Sequence, residues 1–307
     1  MCTSLTFKTN DFYFGRNMDL DYHFGEKIII TPRNYSLNFK HEKTVEKHYA
    51  MLGMACVKGG YPLYAEGVNE KGLCVSALNF QGNAYYNPHP IENALNLASY
   101  EIIPYILSKF SSVEEVKKAF VALQIIDTPF DLETETSPLH WHIADKSESI
   151  TLESTKSGVK IYQNPIGILT NNPTFDFHLK NIEQYARLVP SAQNNDEFSL
   201  GLGMYGLNGD FSSASRFIRL TILKKYAISD DSESSSVDTA FRLLNSVAVI
   251  KGCVLTKDGK PHYTIYTCVI NATKGIYYYK LYNELSLKSA SINDVDLNSD
   301  TLYIKNC

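Results

Sequence analysis

Residues 2–14, CTSLTFKTNDFYF, decide how this chain is read. Apolar and hydroxyl side chains alternate from Cys2 to Lys8, Thr9-Asn10-Asp11 supplies a turn, and Phe12-Tyr13-Phe14 resumes an extended run. That spacing predicts a β-hairpin at the very terminus. Working outward, further strands are predicted at 27–32, 49–57, 61–66 and 73–80, the last two joined by the turn Asn69-Glu70-Lys71-Gly72. Helical patterns follow over 94–110 and, opened by the Ser112/Glu115 capping box, on to about residue 123. A second strand block (LHWHIAD, SITLEST, GVKIYQN) turns at Lys156-Ser157-Gly158. Helices are predicted at 176–189, 214–227 and 235–249, and HYTIYTCVI and GIYYYKLY end the pattern as strands. Strand blocks alternating with pairs of helices argue against a doubly wound parallel sheet. They suit an α+β fold of two packed antiparallel sheets with helices outside. The Ser/Asp run at 229–236 is too short for a linker and reads as an exposed loop, so a single domain over 1–307 is expected.

Composition narrows the function classes. With 44 % hydrophobic and 20 % charged residues the chain can bury a large core without disulfides. A net charge of −4 and no Lys/Arg-rich run leave no electrostatic footprint for nucleic acid. Polar residues recur through positions 3–21 and no 18-residue apolar stretch appears later, so neither a secretion signal nor membrane insertion is expected, and the location expected is cytoplasmic. The six cysteines (Cys2, Cys56, Cys74, Cys253, Cys268, Cys307) are then expected as reduced thiols, most of them buried. Without a C-x-x-C spacing no structural zinc is expected, and His140 and His142, on one side of a strand with no third ligand nearby, read as core histidines. Gly201-Leu202-Gly203-Met204-Tyr205-Gly206 matches a dinucleotide loop in letters only, since Asn194-Asn195-Asp196-Glu197 precedes it in place of a strand. Neither metal nor cofactor is expected. Tyr-rich YYYKLY reads as a sheet strand.

The chemistry concentrates at the terminus. Cys2 follows Met1, and its small side chain makes removal of Met1 expected, which would give one residue both a thiol and a free α-amine. An α-amine, with a pKa of about 7.7–8.0, can accept the thiol's proton near neutral pH, where a lysine at about 10.4 cannot. A thiol attacks a carbonyl only as thiolate, so it needs a base or a nearby cation. The hairpin return is expected to bring Arg16 back beside Cys2 as that cation, and Asp19 to hold and orient the amine.

These residues and others resemble a known family. C-T-S at the terminus, F-G-R-N-M-D at 14–19, N-E-K-G-L at 69–73, A-L-N-F at 77–80, L-H-W at 139–141, G-I-L-T-N-N-P-T-F-D at 167–176 and G-D-F-S-S-A-S-R-F-I-R at 209–219 are similar to the choloylglycine hydrolase family of bile salt hydrolases and penicillin V acylases. The resemblance implies an N-terminal nucleophile hydrolase, with a four-layer αββα sandwich and no cofactor. It implies Cys2 as nucleophile and base in one, Arg16 and Asp19 as partners of thiol and amine, Asn79 and Asn171 at the oxyanion site, and Arg216 in support. The course expected is thiolate attack, loss of the amine, and hydrolysis of a cysteinyl thioester.

Penicillin V acylases of this family carry Tyr at the place of Asn79, whereas bile salt hydrolases carry Asn, so the resemblance implies cleavage of the amide joining a bile acid to glycine or taurine. Met18, Phe24, Ala65, Phe130 and Leu139 are the substrate-pocket positions it implies, mostly apolar as a steroid body requires. A-L-N-F-Q-G in place of G-L-N-F-P-G, and Lys58 in a loop expected to face substrate, depart from the family pattern. The alternatives are acylase action on penicillin V or N-acyl homoserine lactones, and a non-catalytic amphipath-binding protein. A homotetramer is implied by the resemblance alone.

Overall fold

The structure, a computed structural model, describes residues 1–191 and 203–307. In chain order its first strands are β1 (Cys2–Lys8), β2 (Phe12–Leu20), β3 (Lys27–Thr31), β4 (Met51–Lys58), β5 (Tyr61–Asn69) and β6 (Cys74–Asn79). After β7 (Leu95–Ala98) come α1 (Ile102–Lys109), α2 (Val113–Ala119) and β8 (Leu123–Ile126). The strands β9 (Leu139–Ala144), β10 (Ser149–Thr155), β11 (Gly158–Gln163) and β12 (Ile168–Leu169) lead to α3 (Phe175–Ile182), α4 (Ser213–Tyr226) and α5 (Glu233–Asn245). The chain closes with β13 (Tyr263–Asn271), β14 (Ile276–Leu281), β15 (Lys288–Ser291) and β16 (Tyr303–Asn306).

Among the described residues, one antiparallel sheet runs β12-β1-β2-β13-β14-β15 and a second runs β11-β10-β9-β6-β5-β4-β3-β16. Helix α1 covers the outer face of the second sheet over β5 and β6, and α4 and α5 cover the first over β1, β2 and β13. The result is the αββα layering, in an α+β fold. The terminal hairpin lies inside its sheet, flanked by β12 and β13, so the amino terminus is locked between neighbours. Gly15 permits that packing: a side chain there would meet the Cys268 carbonyl at 2.8 Å and a Leu244 methyl of α5 at 3.0 Å.

Three sequence readings are corrected. The helix expected over 94–110 begins only at Ile102, because Pro104 is tolerated solely in a first helical turn. Leu95–Ala98 is a strand instead, paired in parallel with Leu123–Ile126, where the second helix was expected to end. Ser112 does cap α2, accepting from Glu115 N at 3.3 Å, while Glu115 reaches back to Ser111 N at 2.7 Å. The 229–236 run is half loop: Ser232 caps α5 by accepting from Ser235 N, and Glu233 lies in the first turn, where a carboxylate complements the helix dipole. Of the cysteines, Cys2, Cys74 and Cys268 are buried, Cys56 and Cys307 half-buried, and Cys253 exposed. Of the glycine-rich match, Gly201 and Leu202 lie outside the described residues, as does the Asn194–Glu197 run before it; Met204 opens a turn, its carbonyl accepting from Leu207 N.

Polar side chains meet between the sheets. His142 is buried there, its Nδ1 2.8 Å from Ser4 Oγ and its Nε2 2.7 Å from Ser149 Oγ. His140 stacks on Phe80 and reaches Glu153 and the Thr170 carbonyl. Burial lowers the pKa of His142 to about 3 and that of His178, packed on Phe217, to about 4. An unfolded chain takes up these protons near pH 6.5, whereas the folded chain resists until far lower. The folded pKa lies below the unfolded one, so this stability is present above about pH 6.5 and is lost as pH falls. By about pH 4 each histidine costs about 3 kcal/mol. Urea unfolding at about pH 7 and about pH 4.5 checks this: a clear fall in midpoint is expected, and equal midpoints would contradict it.

Candidate active site

Hairpin register positions the first side chains. Cys2 pairs with Met18 and Ser4 with Arg16. Opposite residues of an antiparallel pair share a face, so Cys2, Met18 and Arg16 all point between the two sheets, with Arg16 diagonal to Cys2. Asp19 alternates to the other face, where its Oδ1 accepts from Thr264 Oγ1 at 2.6 Å. Its Oδ2 is buried without a partner. Cys2 Sγ lies 3.9 Å from Met18 Sδ, and that sulfur lies 3.4 Å from Arg16 Nη2.

The backbone of Cys2 is held from behind. Its N–H donates to Asn171 Oδ1 at 2.8 Å, and Arg216 Nη2 donates to the same oxygen at 2.7 Å. Arg216 Nη1 donates to the Cys2 carbonyl at 2.6 Å and also to Thr3 Oγ1, and its Nε to the Phe211 carbonyl at 3.0 Å. Short β12 pairs with β1 and delivers the T-N-N-P loop to this point. Ser213, opening α4, receives Asn171 N at 2.8 Å, and Ser212 caps the helix, which aims Arg216 back at β1. His178 completes the support, donating Nε2–H to the Asn171 carbonyl at 3.0 Å, a proton placement that follows from that acceptor.

This geometry redistributes two expected contacts. The nitrogen of Cys2 is held by Asn171 and not by Asp19, because with Met1 attached it is an amide with a single hydrogen. The Met1 amine is 3.2 Å from the Asp19 carbonyl oxygen and 3.0 Å from His262 Nε2, and burial pushes its pKa below the ordinary range. Asn171 Nδ2 donates to the Asn79 carbonyl at 2.7 Å, so its amide is already engaged. Asn79 Oδ1 accepts from Gln81 N at 2.9 Å, which leaves Nδ2 as the end of that side chain able to donate.

Cys2, Arg16 and Asn79 line a cavity of about 420 Å³. Met18, Phe24, Ala65, Phe130 and Leu139 line the same cavity, so the structure brings together all five expected pocket residues. Asp19, Asn171 and Arg216 stand behind Cys2. Reading the sequence missed Tyr100 and Trp141 in the wall; Tyr100 and Phe130 meet edge-on at 5.3 Å and both abut Tyr61. Tyr100 was hidden inside a stretch read as helix. His178 and His262 were also missed, since a histidine inside a helical or strand pattern carries no mark of what it faces. Lys58 ends β4 outside the cavity wall and instead holds Asp131 at 2.7 Å and Thr134 Oγ1 at 2.8 Å, on the segment that bears Phe130. A larger polar cleft, about 900 Å³ around Arg33 and Lys71, contains none of these groups.

Two buried guanidinium groups close to Cys2, with an apolar cavity in front of its thiol, suit a sulfur nucleophile and an acyl group that can leave water. Arg16 is completely buried; burial opposes its charge, yet Cys2 and Glu66 outweigh it and hold its pKa above the ordinary value. Burial lowers that of Arg216, with Asp19 and Cys2 acting against it.

Comparison with known proteins agrees. A family model described as linear amide C–N hydrolases, choloylglycine hydrolase family, matches residues 2–305. A bile salt hydrolase/transferase of Lactiplantibacillus plantarum is 42 % identical over 98 % of this chain and 95 % of its own. The C2A mutant of a conjugated bile acid hydrolase from Clostridium perfringens superposes with a TM-score of 0.92 at 37 % identity, over 100 % of this chain and 97 % of that one. Penicillin V acylase from Agrobacterium tumefaciens shares the fold, with a TM-score of 0.78 at 20 % identity over 98 % of this chain and 90 % of the other. With the terminal cysteine, its buried supports and an apolar cavity in one place, and a family match along nearly its whole length, the chain belongs to the choloylglycine hydrolase family of linear amide C–N hydrolases.

Proposed function

We propose that this chain, acting as one domain, hydrolyses the amide that joins a bile acid to glycine or taurine, through Cys2. The observation that carries the reading is the Cys2 thiol opening into an apolar cavity while its own nitrogen is held by Asn171. After loss of Met1 that nitrogen becomes an α-amine with more than one hydrogen to donate. Asn171 Oδ1 keeps one of them, and the unpartnered Asp19 Oδ2 is the acceptor we assign to a second.

The α-amine takes the thiol proton, and the thiolate, favoured by Arg16, forms a bond to the substrate carbonyl carbon. Negative charge moves to the carbonyl oxygen, where the Asn79 amide Nδ2 is the donor we assign; one such donor contributes about 3 kcal/mol in comparable sites. The tetrahedral adduct breaks its C–N bond as the α-ammonium returns the proton to the leaving amine. Water, deprotonated by the same amine, then attacks the thioester and expels the thiolate with the free acid. An amine in place of water at that last step would give the transfer that the Lactiplantibacillus relative's name records. Arg216 and Asn171 hold Cys2 in register throughout.

Asn79 and a wall of Met18, Phe24, Ala65, Phe130 and Leu139 favour a steroid acyl group over phenoxyacetyl or acyl-homoserine lactone substrates, which are the competing reading. A non-catalytic amphipath binder is disfavoured by the presence of Cys2, Arg16 and Asp19 together. A cytoplasmic homotetramer belongs to the same proposal and rests on family likeness.

The test is release of free amine from glycocholate, taurocholate and penicillin V under reductant, on protein whose Met1 content is known from intact mass. Release from the bile conjugates is expected, rising in proportion to the fraction lacking Met1, because an amide nitrogen at Cys2 has no basicity to offer. Release from penicillin V alone would shift the substrate to the acylase class, and turnover by a chain that keeps Met1 would remove the α-amine from the mechanism.

A further inference from the structure

Between the sheets, Glu66 meets Arg16 in a cluster that the family motifs leave unassigned. Both side chains are completely buried, with Arg16 Nη1 3.0 Å from Glu66 Oε2. The same Nη1 donates to the Ala65 carbonyl at 3.0 Å. The β4–β5 register shifts between Met54 and Ala55, opposite Glu66 and Tyr64, so Ala65 is the extra residue of a bulge. A bulge bends its strand and re-aims local groups, here turning the Ala65 carbonyl and the Glu66 carboxylate on one guanidinium edge. Glu66 is gripped from the opposite sheet, Tyr277 OH donating to Oε1 at 2.5 Å and Tyr266 OH to Oε2 at 2.9 Å. Burial keeps both phenols protonated as donors far above neutral pH.

That grip fixes which way Arg16 faces. Nη1 is consumed by Glu66 and Ala65, and Nη2 remains beside Met18 Sδ, the sulfur in contact with Cys2 Sγ. We propose that Glu66 is a positioning residue: it pins the rear edge of the Arg16 guanidinium so that the Nη2 edge stays toward Cys2, and its charge sets how strongly Arg16 draws the thiol to thiolate. The proposal rests on the reading of Cys2 as nucleophile and not on the substrate. The charged and titratable groups around Cys2 are Arg16 and Asp19 from β2, Arg216 from α4 and the α-amine itself, with His262 facing Asp19; Tyr266, Tyr277 and Cys268 face Glu66.

The test uses iodoacetamide alkylation of Cys2, followed by mass across pH, together with glycocholate turnover. In Glu66→Gln the charge is gone, so Arg16 acts on the thiol uncompensated, and a single amide oxygen must serve the Arg16, Tyr266 and Tyr277 donors that two carboxylate oxygens served, so the pin on Arg16 loosens. The alkylation midpoint is expected to fall by about half a pH unit or more, and kcat to fall about tenfold with KM within about threefold. Glu66→Asp restores the charge at shorter reach: its midpoint is expected at the unsubstituted value, with kcat still reduced. An unmoved midpoint and unchanged kcat in folded Glu66→Gln would make Glu66 structural only. Should that variant fail to fold, Glu66→Asp decides alone, and a kcat equal to that of the unsubstituted chain overturns the proposal. A moved midpoint without turnover of any bile conjugate would instead sink the substrate reading and leave the positioning role standing.

Discussion

Replacing Cys2 by alanine is expected to leave a folded chain whose release of glycine from glycocholate falls by at least about 10⁴-fold. The size follows from what is lost. Among the described residues no other thiol lines the cavity, so no second group can form the thioester, and the reaction reverts to direct attack by water on an unactivated amide. The remaining donors, Asn79 and the buried arginines, still stabilise an oxyanion, which is why some rate above the uncatalysed one should survive. Folding should be spared: alanine fills most of a strand-end site, and a crystallised C2A relative superposes on this chain with a TM-score of 0.92. Cys2→Ser sharpens the experiment, since it retains an N-terminal amine and a hydroxyl. It should also lose most activity, because a hydroxyl is a far weaker acid than a thiol and Arg16 cannot bring it to its anion. Turnover within about tenfold of the unsubstituted enzyme in either variant would displace Cys2 from the chemistry.

The parts legible in the sequence were those written in local pattern. Alternation over residues 2–8 and the Thr9–Asp11 turn were enough for the hairpin, and that hairpin's register places Met18 and Arg16 on the face of Cys2. Long-range pairing was not legible. Ile168–Leu169 is too short to read as a strand, yet it brings Asn171 to Cys2, and Tyr303–Asn306 is an edge strand with mixed polarity. The helix over 94–110 failed because apolar density was taken for periodicity while Pro104 stood inside it. Asn79, Asn171 and Arg216 were reached by resemblance alone, since each by itself has the look of a turn or surface residue. Glu66 was invisible for a related reason: a lone carboxylate in a strand shows nothing of a partner 50 residues away, nor of the bulge at Ala65 beside it.

The second large effect is expected at Arg216, which is 1 % exposed and joins three segments. Its guanidinium reaches the Cys2 carbonyl and Thr3 of β1, Asn171 of the T-N-N-P loop, and Phe211 ahead of its own helix. Arg216→Met fills similar volume and supplies no donor. The Cys2 and Phe211 carbonyls then lose their side-chain donor, and the buried Asp19 carboxylate loses a neighbouring positive charge. Leaving such groups uncompensated costs about 3 kcal/mol or more, which for a chain of this size lowers the thermal midpoint by roughly 5–10 °C. Activity should fall further than stability explains, because Asn171 loses the donor that fixes its amide against Cys2. Arg216→Lys separates the two effects. A lysine keeps the charge near Asp19 but is a point donor that cannot span the Cys2 carbonyl and Asn171 Oδ1 together. Near-native stability with kcat reduced about 100-fold is therefore the expected result for the lysine variant, since a small displacement of the nucleophile is enough to cost that much. A lysine variant as fast as the unsubstituted enzyme would mean that charge alone suffices, and the forked bridge between nucleophile and loop would have no part in positioning Cys2.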